Sequence, residues 1–251
     1  MRAIDSEHYL LELKLKRDKV PSFNRYPFSL PAIRSLHTLE LHPKVTFIIG
    51  ENGSGKSTLL EAIAVTCGFN AEGGTKNFNF RTRTSHSELH DYITQVKGIR
   101  HAKDGFFLRA ESFFNVATDI ERMDSTSSAA PLVIDSYGGK SLHEQSHGES
   151  FFALMMHRFG GNGLYILDEP EAALSPQRQL AMIARLHELV RSRSQFIIAT
   201  HSPILMAYPN ARIYQIDDNG IQTIAYEKTD HYLVTKAFLG NTKKYLDQLL
   251  D

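Results

Sequence analysis

The run Gly50-Glu51-Asn52-Gly53-Ser54-Gly55-Lys56-Ser57 satisfies the phosphate-loop pattern G-x-x-x-x-G-K-[ST] in full. Its flanks are those the pattern needs. Ahead of it, Val45 to Ile49 is a short apolar run after Pro43 that reads as a buried strand. Behind it, Leu59, Leu60, Ile63 and Ala64 recur at helical spacing. A strand, a glycine-rich turn and a helix start let backbone N–H groups and the positive helix end surround phosphate oxygens. Asn52, Gly53, Ser54, Gly55, Lys56, Ser57 and Thr58 are therefore the expected phosphate cradle. Lys56 is expected to reach the β and γ phosphates, and the Ser57 hydroxyl to ligand Mg²⁺.

A second apolar run, Leu164 to Leu167, ends in Asp168-Glu169. A carboxylate at the end of a buried strand can hold magnesium or its water, the role expected of Asp168. Glu169, one residue on, is the candidate for polarising the attacking water, a step that typically contributes ~10²–10⁴ in rate. Ser175 and Pro176 read as the cap and first residue of a helix whose apolar stripe includes Leu180, Ile183, Leu186 and Val190. Phe196 to Ala199 reads as a further buried strand, Glu149 to Phe159 as a helix, and the partly alternating Tyr9 to Lys16 as a strand. Short apolar strands alternating with longer helices predict an α/β domain with a mostly parallel sheet flanked by helices.

The bulk properties fit one such domain. The chain has 251 residues, 42% of them hydrophobic, and 28 Lys plus Arg balance 28 Asp plus Glu, so no global field draws it to nucleic acid or anionic lipid. The single cysteine, Cys67, suits a reducing compartment and sits in an apolar stretch, where packing is its expected role. No apolar run approaches the ~20 residues that span a bilayer, and Asp5 and Glu7 break a signal-peptide pattern. A cytoplasmic protein without direct membrane insertion is expected. His86 and His90 have the spacing of a helical pair but read as a solvated face, as do Arg81, Arg83, Lys97, Arg100 and Lys103.

Taken in order, the phosphate loop, Ser146-His147-Gly148-Glu149-Ser150, Leu167-Asp168-Glu169-Pro170, Ala173-Leu174-Ser175-Pro176 and Thr200-His201-Ser202 resemble the motifs of ABC (ATP-binding cassette) ATPases over most of the chain. The resemblance implies an N-terminal antiparallel β portion and a small inserted helical subdomain. On that reading residues 1–80 and 147–251 form the nucleotide-binding core, and 81–146 the partly helical insertion leading to the signature. It further implies that Ser146, Gly148 and Glu149 occupy signature positions that touch ATP bound by a second copy, with His147 replacing the family's first glycine. Ala173 to Pro176 would be the segment that contacts the other subunit. His201 would be the switch histidine at the γ-phosphate. The magnesium-sensing glutamine has two candidate positions, Glu111 after the strand Phe106 to Arg109, and Gln95. The family's adenine-stacking aromatic would fall at Tyr26 or Phe28, either of which could equally be a core residue.

About 90 residues separate Lys56 from Ser146, too few for the long arms of SMC proteins. Asp168-Glu169-Pro170-Glu171 with Thr200-His201-Ser202-Pro203 looks most like stand-alone SMC-like and OLD-like bacterial ATPases. The expected cofactors are ATP and Mg²⁺. The leading expectation is an ATP-dependent homodimer that switches an unidentified, DNA-linked or defence partner. A transporter's ATP-binding subunit and a non-hydrolysing nucleotide-binding adaptor are the alternatives.

Overall fold

Val45–Gly50 is buried at every position, as expected of a strand covered on both faces. The computed structural model describes residues 8–76, 87–109, 113–126, 132–141, 143 and 147–250. Its strands are β1 (Leu10–Leu15), β2 (Thr38–Glu40), β3 (Val45–Gly50), β4 (Ile93–Lys97), β5 (Asp104–Arg109), β6 (Gly163–Asp168), β7 (Gln195–Ala199), β8 (Arg212–Asp217) and β9 (Gly220–Thr223). The helices are α1 (Pro31–Arg34), α2 (Lys56–Thr66), α3 (Phe113–Thr126), α4 (His147–Ala153), α5 (Pro176–Arg191), α6 (Pro203–Met206), α7 (Asp230–Gly240) and α8 (Thr242–Leu250).

Six strands form one sheet in the order β5-β6-β7-β3-β8-β9, parallel except for the β8–β9 hairpin. Three others form an antiparallel sheet in the order β2-β1-β4. The strand period of two divides the core. Phe47, Leu108, Leu167 and Ile198 point to one side of the six-stranded sheet, where Met182, Leu186 and Leu189 of α5 meet them. Ile48, Phe107, Ile166 and Ile197 point to the other, against Leu59, Leu60 and Ile63 of α2 and against Leu10, Leu13 and Ile93 of the antiparallel sheet. Each such buried Leu or Ile contributes roughly 1.5–3 kcal/mol.

Gln195 joins the two sheets. Its fully buried amide accepts from the Tyr9 and Leu10 N–H groups and donates to the Leu10 and His42 carbonyls at 2.8–3.1 Å. All four of its hydrogen-bonding positions are thereby used.

Several expectations change in detail. Leu180, placed on the buried stripe of α5, is 59% exposed, and the packed positions are Met182, Leu186 and Leu189. The Glu149–Phe159 helix is α4 followed by a π-helical turn, Leu154–Arg158, whose end is held by Arg185 donating to the Met155, Met156 and Phe159 carbonyls. Both β4 and β5 fall within 81–146, yet β4 pairs with β1 and β5 with β6, so each is part of a core sheet. Among the described residues no helix is long and apolar enough to cross a membrane.

Candidate functional site

The parallel strands β3, β6 and β7 end side by side, and the predicted site lies at those ends. Gly50, the last residue of β3, pairs with Ile216 of β8, and a Cβ there would sit 2.6 Å from the Ile216 carbonyl oxygen. Gly55 starts α2 with φ +99°, a conformation open to glycine, and a side chain would press on Leu30 and Ala32 at 3.1 Å. The turn between them is pinned by Ala32 N–H donating to the Ser54 carbonyl and Ser54 N–H to the Glu51 carbonyl. Asn52 and Gly53 are exposed at its crest, and Thr58 is half-buried in the first turn of α2.

Lys56 is 4% exposed, and its Nζ donates to the carbonyls of Gly50 (2.7 Å) and Glu51 (3.0 Å). Burial pushes its pKa below the ordinary lysine value, against the opposing pull of Glu169, Asp168 and Glu171. Its ammonium is a concentrated charge whose hydration shell the loop carbonyls replace.

Ser57 Oγ donates to Asp168 Oδ1 at 3.1 Å, joining the start of α2 to the end of β6. Asp168 is buried. A hydroxyl and a carboxylate converging beside a phosphate loop fit Mg²⁺, which takes one or two carboxylate ligands and fills its octahedron with phosphate oxygens and water. Among the described residues no three His, Cys, Asp or Glu side chains gather into a cage of their own.

Glu169 continues the β6–β7 ladder by one bond, its N–H donating to the Ala199 carbonyl at 3.0 Å, and then turns at φ +51°. A positive φ at a residue bearing Cβ is sparsely populated and clusters at functional sites. Its Oε1 lies 3.5 Å from Nε2 of His201, which follows β7. The His201 N–H donates to Glu171 Oε1 at 2.6 Å, and its Nδ1 is 3.3 Å from Nε2 of His231 on α7. Sequence reasoning missed both of these neighbours. Glu171 was visible only as part of the acidic run, and His231 carries no local pattern.

Beside the loop is a cleft of about 640 Å³, lined by Gly50 to Ser54, His201, Asp217, Asp218, His231 and Val234. That volume is within the usual range for small-molecule sites. Gly148 and Glu149 do not line it. Glu149 lies 3.5 Å from Arg178 and faces a different cleft with Phe152, Met156 and His157. Gly148 packs so closely on the segment after β6 that a Cβ would fall 2.2 Å from the Ala173 carbonyl oxygen.

Ser146 and Glu111 lie outside the described residues, as do Arg81, Arg83 and His86. Gln95 is not at the phosphate site. It accepts from Cys67 Sγ and donates to the Thr66 carbonyl at the far end of α2, ~15 Å along the helix from Lys56. Phe28 is fully buried and meets the Tyr92 ring edge-on at 4.8 Å, whereas Tyr26 is 62% exposed. Cys67 is buried, which raises its thiol pKa to about 11. His90 bonds the Ser87 carbonyl within a 3₁₀ turn, and Lys97, Arg100 and Lys103 are exposed.

Residues 28–129 match the family model described as an AAA domain, and residues 148–206 that described as an AAA ATPase domain. Among curated proteins the chain is similar to the ABC transporter G family member STR2 of Medicago truncatula. The two are 27% identical over 178 residues, 63% of this chain and 24% of that protein, so the chain spans about a quarter of that relative. Among solved structures it is similar to the SMC head domain from Thermotoga maritima, at 18% identity with 86% of this chain and 98% of that one covered and a TM-score of 0.42. It is also similar to an ATP-binding cassette of an ABC transporter in its ADP conformation, at 16% identity, 86% and 89% coverage and a TM-score of 0.49. Two AAA-domain models thus match the part of the chain that carries the phosphate loop and the part that carries Asp168, Glu169 and His201, within an α/β fold whose six-stranded sheet is mostly parallel.

Proposed function

We propose that this chain binds Mg-ATP on the turn from Gly50 to Ser57 and hydrolyses it, in the cytoplasm, as one half of a homodimer that closes around two nucleotides. The observation that carries the reading is the meeting of Ser57, Asp168, Glu169 and His201 at neighbouring strand ends beside a buried Lys56. Lys56 and the loop N–H groups neutralise phosphate charge. Ser57 and Asp168, with Glu111, would hold Mg²⁺, which would supply further neutralisation of phosphate charge. Glu169 orients a water whose oxygen bonds to the γ-phosphorus as the bond to the bridging oxygen breaks. The electron pair leaves on ADP, and the water's proton passes to the carboxylate or the departing phosphate. His201 contacts the γ-phosphate.

The two-copy part of the proposal rests on the resemblance of Ser146, Gly148 and Glu149 to signature positions, and Glu149 faces a cleft with Phe152, Met156 and Arg178 rather than the one beside Gly50–Ser54. Residues 110–146 are the part of 81–146 proposed as the inserted subdomain, because β4 and β5 already belong to the sheets. The switch role for a DNA-linked or defence partner rests on the resemblance of the acidic and histidine motifs. The transporter reading draws on the one curated relative.

Phosphate release that needs Mg²⁺ and disappears in Lys56→Ala is the expected result, and a wild-type chain that binds ATP without releasing phosphate would overturn hydrolysis. Addition of Mg-ATP to Glu169→Gln should double the particle mass in solution. An unchanged mass would remove the dimer. A stable complex of that variant with integral membrane proteins, in place of a soluble partner, would favour the transporter reading.

A further inference from the structure

His201 makes two ring contacts, and together they fix where its proton sits. Nε2 faces Glu169 Oε1 at 3.5 Å, and Nδ1 faces His231 Nε2 at 3.3 Å. An ionised carboxylate only accepts, so the His201 nitrogen facing it is the N–H. A neutral imidazole then has a lone pair on Nδ1, which requires an N–H on Nε2 of His231. Burial and the nearby charge of Lys56 hold His231 toward its neutral form, against the opposite pull of Asp230.

The placement of His231 is itself built into the fold. It is the second residue of α7, whose cap, the fully buried Thr229, accepts from Tyr232 N–H and donates to the Tyr226 carbonyl. Tyr226 in turn donates its hydroxyl to the Pro203 carbonyl at 2.8 Å, two residues beyond His201. The start of α7 is thus tied to the segment that carries the histidine it touches.

We propose that His231 is a positioning residue for His201: its Nε2–H, donated to His201 Nδ1, keeps the His201 proton on Nε2, where it faces Glu169 and the phosphate. The other tautomer would turn a lone pair toward the carboxylate and the phosphate oxygens, both of which repel it. This rests on the reading of His201 as a γ-phosphate contact, and the test separates the two claims. Ring-nitrogen correlation spectra of the nucleotide-free, ¹⁵N-histidine-labelled protein read the tautomer without any activity. His201 should be protonated at Nε2 in the wild type and in His231→Gln, whose amide N–H can occupy the place of the lost Nε2–H. In His231→Phe it should become a mixture. In phosphate release, His231→Phe should lower kcat ~10- to 100-fold with KM for ATP unchanged, and His231→Gln should recover most of that loss. A wild-type His201 protonated at Nδ1, or equal impairment of the Phe and Gln variants with the tautomer unaltered, would overturn the proposal; the first holds even if His231→Phe does not fold. Absence of phosphate release from the wild type would end the hydrolytic reading and leave the tautomer result standing.

Discussion

The two ends of the six-stranded sheet use similar residues in opposite ways. Where β5 and β6 begin, Asp104 accepts from Arg158 (2.9 Å), from the Gly160 N–H (3.1 Å) and from the Tyr165 hydroxyl (2.6 Å). Tyr165 is stacked between Phe159 and Phe196. Burial alone would raise the Asp104 pKa, but those donors outweigh it and hold its carboxyl below the usual range. Where β3, β6 and β7 end, Ser54 Oγ and Glu171 Oε2 are buried with no hydrogen-bond partner among the described residues, His201 Nε2 has only the 3.5 Å approach of the Glu169 carboxylate, and Glu169 turns through a disfavoured φ. Each unsatisfied polar atom costs about 1–3 kcal/mol, as does each strained residue. One end therefore stabilises the fold with its polar groups, and the other leaves polar groups unsatisfied.

Three substitutions test that division. Glu169→Gln should lower kcat ~10²- to 10⁴-fold and leave the melting temperature almost unchanged, measured by phosphate release and calorimetry. Asp104→Asn should do the reverse, losing about 2 kcal/mol in urea unfolding at neutral pH while the folded fraction keeps its turnover. Because the Asp104 pKa is depressed in the folded state, its contribution is complete above the unfolded value near ~3.9 and fades as pH falls through the folded one. The gap between wild type and Asp104→Asn should close in acid. A gap that widened there, or a turnover loss without a stability loss, would break the comparison. Ser54→Ala has the smallest expected effect: removal of a buried, unpartnered hydroxyl should leave stability unchanged or raise it by up to ~1 kcal/mol, whereas a clear loss would mean that this hydroxyl is satisfied after all.

The elements that could be read from the sequence are those set by local rules. β3, β6 and β7 are continuous apolar runs because helices or a second sheet cover both of their faces, and Ser175-Pro176 caps α5 as its residue types require. The β8–β9 hairpin also carries a turn signal, Asp218-Asn219 followed by Gly220, although it was not among the expected elements. Of the expected stripe, Leu186 lies in the core and Ile183 and Val190 pack against it, whereas Leu180 falls at its edge and is exposed, with Met182 and Leu189 packed instead. β4 was read as part of an insertion because its pairing with β1 joins residues some eighty positions apart, which no window of sequence contains. At the site, Lys56, Ser57, Asp168 and Glu169 were legible as motif positions. Glu171 and His231 were not, since one reaches a backbone N–H thirty residues away and the other arrives on a different helix.

Gln195 opens β7, and His201 stands two residues beyond its other end. A strand of five residues is a stiff rod ~16 Å long. Its near end is tied to Tyr9 and Leu10 at the start of β1 by three hydrogen bonds of one amide and to the His42 carbonyl by the fourth, and its far end presents the histidine to the cleft. Movement of that histidine along the strand axis is therefore resisted at the antiparallel sheet, and a truncated glutamine would leave the two sheets joined by their shared apolar core and by the Tyr9 hydroxyl on the Arg193 carbonyl.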